Sequence, residues 1–202
     1  MDRANAFARR VPTWVIYGLG ALPFLWLGWL GVQGHLGADP VKTVERTLGE
    51  RGLQFLLASL AITPLRRLGL NLIRFRRALG LVAFFYVALH LTAWVWLDMG
   101  LRWAEVTADL WKRPYILIGM VGFLALLPMA LTSSNRVIRW MGPKAWGRLH
   151  RLAYLAVIAG VVHLLLLVKV WTLDELSYAA LAAGLLVARL IPRTRPTARA
   201  TA

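Results

Sequence analysis

The sequence predicts an all-α integral membrane protein, built as a bundle of six transmembrane helices. Of its 202 residues, 59% are hydrophobic and only 16% are charged, which is far from the balance of a soluble domain. Apolar stretches of roughly 20 residues recur along the chain, and a helix of that length crosses a bilayer. The connecting segments alternate sharply in charge. These features favour a single multi-pass transmembrane domain over residues 1–202.

The first three predicted spans cover residues 12–32, 50–68 and 78–97. The first is too long for the apolar region of a signal peptide, and VQGHLGADP follows it instead of a small-residue cleavage site. We therefore expect it to be retained. The second contains Pro64 in a short apolar run, and snorkelling by flanking Arg51 would lengthen it. The third span carries His90.

The last three predicted spans cover residues 114–132, 149–168 and 173–191. The fifth begins at His150 and carries His163 thirteen residues later. The longest connecting loop, of about 20 residues, is too short for a soluble catalytic domain. We therefore expect the chemistry to lie within the bundle or with a partner, and we predict no catalytic residue.

Basic residues concentrate on one side of the predicted membrane. Seventeen of the 24 Lys and Arg residues lie on the side that holds both termini, and eight of the nine acids lie on the other. The positive-inside rule makes the basic side, with both termini, cytoplasmic. Topology and anionic membrane lipid explain the net charge of +15, so we predict no nucleic acid partner.

The absence of cysteine removes several kinds of redox centre. A chain without cysteine forms no disulfide, ligates no iron–sulfur cluster and attaches no haem through C-x-x-C-H. The absence of cysteine leaves the redox compartment of the protein open.

Two histidines of different spans come out at a similar depth. With a rise of about 1.5 Å per residue, His163 lies about 20 Å beyond His150, and His90 lies about 18 Å along its own span. Two neutral imidazoles that face each other in an apolar bundle are the usual protein ligands of a six-coordinate haem b. Small residues nearby would make room for a macrocycle, or would serve as helix-packing contacts: Ala83, Ala156, Ala159 and Gly160.

Other interpretations of the histidines remain open at this stage. His90 and His163 can be separate buried residues, each hydrogen-bonded to a neighbouring helix, or a proton relay in a small transporter. His150 lies at the membrane surface, where metal ligation and simple hydration are equally reasonable. His35 falls in an outer loop and is expected to be solvated.

Several short motifs resemble those of the MsrQ (YedZ) family, in the ferric-reductase-like transmembrane class. They are LGADPVK (36–42), ITPLRR (62–67), RRALGL (76–81), LHLTAW (89–94), RPYI (113–116), LTSS (131–134) and RLH (148–150), followed by His163. The resemblance covers about residues 12–191. It implies a haem-binding subunit of the bacterial inner membrane that supplies electrons to a periplasmic molybdenum-cofactor methionine sulfoxide reductase, for repair of oxidised proteins.

The resemblance also assigns ligands and an electron donor. It implies that His90, His150 and His163 are the haem histidines, with one haem b expected and a second as an alternative. It further implies quinone or a cytoplasmic flavin reductase as the donor, and FMN as an additional cofactor. The basic segment 136–151 would hold a flavin phosphate or simply determine topology. A stand-alone ferric or quinone reductase is an alternative function.

The inner level of the third span departs from the two-haem relatives. Where they carry a second histidine, this chain has Arg76 and Arg77. A guanidinium has no lone pair for iron but binds a haem propionate well. On a straight helix His150 and His163 would also lie roughly 140° apart, so a shared face needs a local distortion, expected near Gly160.

Overall fold

Nine α-helices account for nearly all of the chain between residues 2 and 191, the part that the computed structural model describes. They are α1 (Asp2–Arg10), α2 (Trp14–Val32), α3 (Pro40–Arg67), α4 (Arg76–Ala93), α5 (Trp103–Lys112), α6 (Pro114–Leu131), α7 (Asn135–Leu149), α8 (Leu152–Leu167) and α9 (Leu173–Leu190). A 3₁₀ turn at Ile73–Phe75 leads into α4, and a π-helical turn at Trp94–Asp98 continues it. The predicted all-α class is confirmed.

The six predicted spans are not confirmed by length and composition. Among the described residues, three helical segments are long and apolar enough to cross a membrane: Trp14–Val32, Ile73–Asp98 and Pro114–Leu131. Helices α7 and α8 provide a fourth if they count as one broken span, bent by 41°.

The other predicted spans lack the length or the apolar composition that the three segments above have. Helix α3 is long, but its apolar run is confined between Arg51 and Arg66. Helix α8 has only 16 residues. Helix α9 has 18 residues and carries Asp174, Glu175 and Arg189 near its ends. Residues 192–202, with three of the predicted cytoplasmic arginines, lie outside the described residues.

Three further helices lie in segments that the sequence analysis treated as connections. Helix α1 precedes the first span, α5 lies in the outer connection after α4, and α7 fills the inner connection before α8. Helix α7 is broken at Gly142, whose φ of 77° is in the left-handed region that favours glycine. These short helices explain why few described residues belong to long loops.

The core lies where α3, α4, α6, α8 and α9 meet. Its buried side chains are Leu53, Leu56, Leu57, Leu60, Ala83, Ala125, Leu126, Ala156, Val157, Val161 and Ala182. By contrast, many large apolar side chains of α2 point outward, and Leu25 and Trp26 are 61% and 62% exposed. Apolar surface of this extent is typical of a protein surrounded by lipid.

Close helix contacts occur at glycines. A Cβ added to Gly52 of α3 would lie 2.8 Å from a Val87 methyl group of α4, and one added to Gly20 of α2 would lie 2.8 Å from Val82. The Tyr86 hydroxyl donates to the Gly20 carbonyl at 2.7 Å. Small residues allow such close approach between membrane helices, where there is little hydrophobic driving force for association.

Polar contacts attach α9 to the bundle along its length. Glu175, only 2% exposed, accepts a hydrogen bond from the Arg46 guanidinium of α3 at 3.1 Å. Further along, the Gln54 amide donates to the Tyr178 hydroxyl at 2.6 Å. Near the other end, Arg189 donates to the Leu60 carbonyl at 2.7 Å. Buried polar groups in an apolar bundle need such partners, so these contacts fix the position of α9.

We expect Gly52→Val to destabilise the protein, because the added side chain would force α3 and α4 apart. Overpacking of this kind costs about 1–3 kcal/mol. Thermal unfolding in detergent should show a lower melting temperature. The matched control is Gly28→Val, since a Cβ at Gly28 meets nothing within 4 Å. Equal melting temperatures for the two variants would contradict this packing argument.

Candidate functional site

The structure brings His90 and His163 together between α4 and α8. Their ring centroids lie 6.1 Å apart, and the ring planes are inclined at 75°. The two residues stand at similar depth on neighbouring helices, as the sequence analysis expected from the rise along each span. The neutral imidazole of each ring has one nitrogen to donate a proton and one to bind a metal.

Each imidazole has its Nδ1 atom fixed by a backbone carbonyl. His90 Nδ1 lies 2.9 Å from the Glu45 carbonyl oxygen of α3, and His163 Nδ1 lies 2.6 Å from the Tyr115 carbonyl oxygen of α6. A carbonyl only accepts hydrogen bonds, so Nδ1 carries the proton in both rings. The lone pair is therefore on Nε2, and this is the tautomer that a metal-binding histidine adopts when its other nitrogen is hydrogen-bonded.

The pair of rings fits two-sided ligation of one haem iron. Metal–imidazole bonds are about 2 Å long, so two imidazoles on opposite sides of one metal place their centroids roughly 6 Å apart. The observed 6.1 Å agrees with that spacing. The donor set also fits, because two neutral imidazoles are common axial ligands of haem iron.

The small residues near His163 pack against another helix. A Cβ added to Gly122 of α6 would lie 3.4 Å from Ala159 Cβ and 3.7 Å from the Ala156 carbonyl oxygen of α8. Gly160 approaches Leu53 of α3. Ala83 is fully buried in the core. Of the two alternatives for these residues, the structure favours helix packing over making room for a macrocycle.

His150 lies in the break between α7 and α8. Its ring stacks on Trp146 with a centroid distance of 3.7 Å, and its Nδ1 lies 3.0 Å from the Trp146 carbonyl oxygen. Helix α8 is continuous from Leu152 to Leu167, so the distortion expected near Gly160 was misplaced. The chain bends at residues 150–151 instead, and this frees the orientation of His150 from that of His163.

A separate cavity of about 230 Å³ lies beside His150. Its polar lining residues are Ser59, Arg76, Arg77, Ser133, Trp146 and His150. Arg77 donates to the Ser133 carbonyl at 3.3 Å and to the Asn135 side chain. The lining offers one imidazole and two guanidinium groups, so it fits an anionic group or one-sided ligation and lacks the second imidazole of a bis-histidine haem site.

Most acids of the predicted outer side pair with a basic neighbour. The pairs are Asp39–Lys42, Glu50–Arg46, Glu105–Arg102, Asp109–Arg113 and Glu175–Arg46, with N–O distances from 2.7 to 3.3 Å. The negative charge that the sequence places on this side is thus largely compensated locally. Steering of a basic partner by these acids would then act over a short range only.

Glu45 is an exception among these acids. Burial, together with the carboxylates of Asp98 and Asp39, raises the pKa of its carboxyl to about 7. At neutral pH this carboxyl is therefore partly protonated.

The sequence analysis missed the residues that hold the two imidazoles. Glu45 and Tyr115 act through their backbone carbonyls, so their side chains give no signal. A weak signal exists in the glycines that follow each of them after four residues, Gly49 and Gly119. Glycine is costly within a helix, so two glycines at matching positions suggest close contact with another group.

Comparison with known proteins defines the class first. Residues 49–173, more than half of the chain, match the family model described as ferric reductase like transmembrane component. This segment runs from α3 through α8 and includes His90, His150 and His163. The fold and the paired imidazoles therefore belong to a ferric-reductase-like transmembrane protein.

The full-length relatives are more specific. The chain is 44% identical over 187 residues to a protein of Brucella anthropi, which covers 92% of this chain and 83% of the relative. It is 46% identical over 178 residues to proteins of Brucella ovis and Brucella abortus, covering 88% of this chain and 80% of each relative. All three are named protein-methionine-sulfoxide reductase heme-binding subunit MsrQ. The chain belongs to the MsrQ family.

Proposed function

We propose that this protein is the haem b electron-transfer subunit of a methionine sulfoxide reductase system. It would pass electrons from the quinone pool or a cytoplasmic flavin reductase to a periplasmic molybdenum-cofactor methionine sulfoxide reductase, which repairs oxidised proteins. The observation that carries this proposal is the facing pair of His90 and His163, with both Nδ1 atoms bound to carbonyls. The names of the relatives support the cofactor and the system.

His90 and His163 would hold one haem b through their Nε2 atoms. The haem supplies one-electron redox chemistry, while the protein holds the ligands, excludes water and tunes the potential. The backbone carbonyls of Glu45 and Tyr115 keep both Nε2 lone pairs available. Neither ring depends on the other for its hydrogen bond, so each would be free to offer its Nε2 atom to a metal held by both.

The cavity beside His150 would be the site of electron entry. Arg76 and Arg77 give it positive charge, and the stacked Trp146 and His150 rings give it a flat aromatic wall. A haem propionate, a flavin phosphate of FMN or a quinone carbonyl would each find donors here. Because only one imidazole lines the cavity, we propose one haem at His90 and His163 and keep a second, ligated by His150, as the alternative.

We also propose that the 202-residue chain is one domain with six spans in the bacterial inner membrane. Helix α3, which falls short on composition, lies inside the bundle and provides Leu53, Leu57 and Leu60 to the core, and its polar side chains hold α9 against it. Helices covered by protein need less apolar surface than helices that face lipid. The charge distribution supports cytoplasmic termini.

The proposed ligands predict which variants lose the haem b signal. Purified protein should show the reduced-minus-oxidised absorption spectrum of haem b, and His90→Ala or His163→Ala should abolish the bis-imidazole signal, because one axial ligand is gone. His35→Ala is the matched control, since His35 is exposed in an outer loop and should leave the spectrum unchanged. A colourless, well-folded preparation would contradict the proposal and favour a transporter.

The cavity beside His150 predicts a different result for the residues that line it. His150→Ala and Arg76→Ala should retain the bis-imidazole signal in electron paramagnetic resonance, because they line a separate cavity. Loss of that signal in either variant would contradict the ligand assignment. The haem-to-protein ratio of the same samples tests the stoichiometry: an unchanged ratio agrees with one haem, and a ratio that falls in His150→Ala assigns the second haem to His150.

The topology predicts the accessibility of introduced thiols, for which this cysteine-free chain has no background. In intact spheroplasts, a membrane-impermeant maleimide should label Lys169→Cys but label Lys144→Cys only after lysis, because these exposed lysines flank α8 on opposite sides. Ala38→Cys and Leu68→Cys form the equivalent pair for α3. Equal labelling of both members of a pair before lysis would contradict a span between them.

A further inference from the structure

Each of the two facing imidazoles packs against a glycine of a neighbouring helix. A Cβ added to Gly49 of α3 would lie 3.2 Å from His90 Nδ1 and 3.3 Å from His90 Cε1. A Cβ added to Gly119 of α6 would lie 2.8 Å from His163 Nδ1 and 3.1 Å from His163 Cε1. Any other residue at these positions would therefore press on the ring edge that carries the Nδ1 proton.

The glycine and the accepting carbonyl stand in the same relation on both helices. The carbonyl belongs to the residue four positions before the glycine, Glu45 for Gly49 and Tyr115 for Gly119. In an α-helix the Cα–Cβ bond tilts toward the N-terminus, so a side chain covers the turn before its own Cα. A Cβ at position 49 or 119 would thus project toward the carbonyl that the imidazole must reach.

We propose that Gly49 and Gly119 are positioning residues for the two axial imidazoles, an inference that rests on the proposed haem ligation by His90 and His163. Because the side chain is missing, the ring can approach the helix turn, and the carbonyl at that turn accepts a hydrogen bond from Nδ1–H. The same arrangement of a glycine and an accepting carbonyl occurs twice, once on α3 for His90 and once on α6 for His163. It fixes the tautomer, the direction of Nε2 and the distance between the two rings.

The hydrogen bond also has an electronic effect on each ligand. Donation from Nδ1–H to an oxygen acceptor raises the basicity of a metal-bound imidazole. A more basic axial ligand favours the oxidised form of the metal that it binds, so weakening this bond should raise the midpoint potential. The two glycines therefore influence the redox potential through the ligands, without touching the metal.

Substitution by alanine should have different effects at Gly119 and at Gly49. At Gly119 the added Cβ would come within 2.8 Å of the ring, closer than non-bonded contacts allow, so His163 must move away from the Tyr115 carbonyl. At Gly49 the closest approach is 3.2 Å, and a small displacement of His90 relieves it. Gly119→Ala should accordingly have the larger effect, and Gly49→Ala the smaller one in the same direction.

The test compares these alanine variants with Gly122→Ala in the full-length protein. Gly122 lies on α6 one turn after Gly119, and a Cβ there would make only ordinary contacts of 3.4 Å or more. Redox titration should give an upward shift of the midpoint potential for Gly119→Ala, a smaller upward shift for Gly49→Ala and no shift for Gly122→Ala. Electron paramagnetic resonance should show altered g values for the first two variants only.

The outcomes separate this inference from the proposed function. Wild-type protein without a bis-imidazole haem signal means that the proposed function fails, and the inference fails with it. A wild-type signal with unchanged potentials and g values in Gly119→Ala and Gly49→Ala overturns the inference alone. If Gly119→Ala does not fold, Gly49→Ala decides the matter, because its milder contact leaves the bundle intact.

Discussion

The hydrogen bond from each imidazole to a backbone carbonyl is the interaction on which the candidate site depends. In an apolar bundle, an unpaired ring N–H would carry the full cost of leaving water, so each ring must find an acceptor. His90 finds it on α3 and His163 on α6. These helices must then lie close to α4 and α8 at the depth of the rings, which fixes the arrangement of the four helices around the site.

This constraint explains where small residues and polar contacts occur. Glycines stand where helices or rings come closest, as Gly52 does beside Val87. Arg46 and Gln54 of α3 bind Glu175 and Tyr178 of α9. Helix α3 thus contacts both His90 and α9, so its charged ends and short apolar run fit an interior position better than a lipid-facing one.

Much of the arrangement is predictable from the sequence, and the rest depends on features without a side-chain signature. The rise per residue sufficed to place His90 and His163 at one depth, because both sit within long apolar runs. The acceptors on Glu45 and Tyr115 were not predictable, since every residue has a carbonyl. The sequence analysis expected the bend near Gly160, because glycine weakens a helix. The structure places it at residues 150–151, between the end of α7 at Leu149 and the start of α8 at Leu152. Helices α1, α5 and α7 were missed because they are short and partly polar.

Each histidine and the backbone carbonyl that accepts its hydrogen bond lie in one continuous segment of the chain, and this affects the order in which the site is synthesised. His90 and its acceptor lie within residues 45–90, and His163 and its acceptor lie within residues 115–163. The segment that holds His90 and its acceptor therefore leaves the ribosome before the segment that holds His163 and its acceptor. A haem held by both imidazoles, as proposed above, would bind only after both segments have been synthesised.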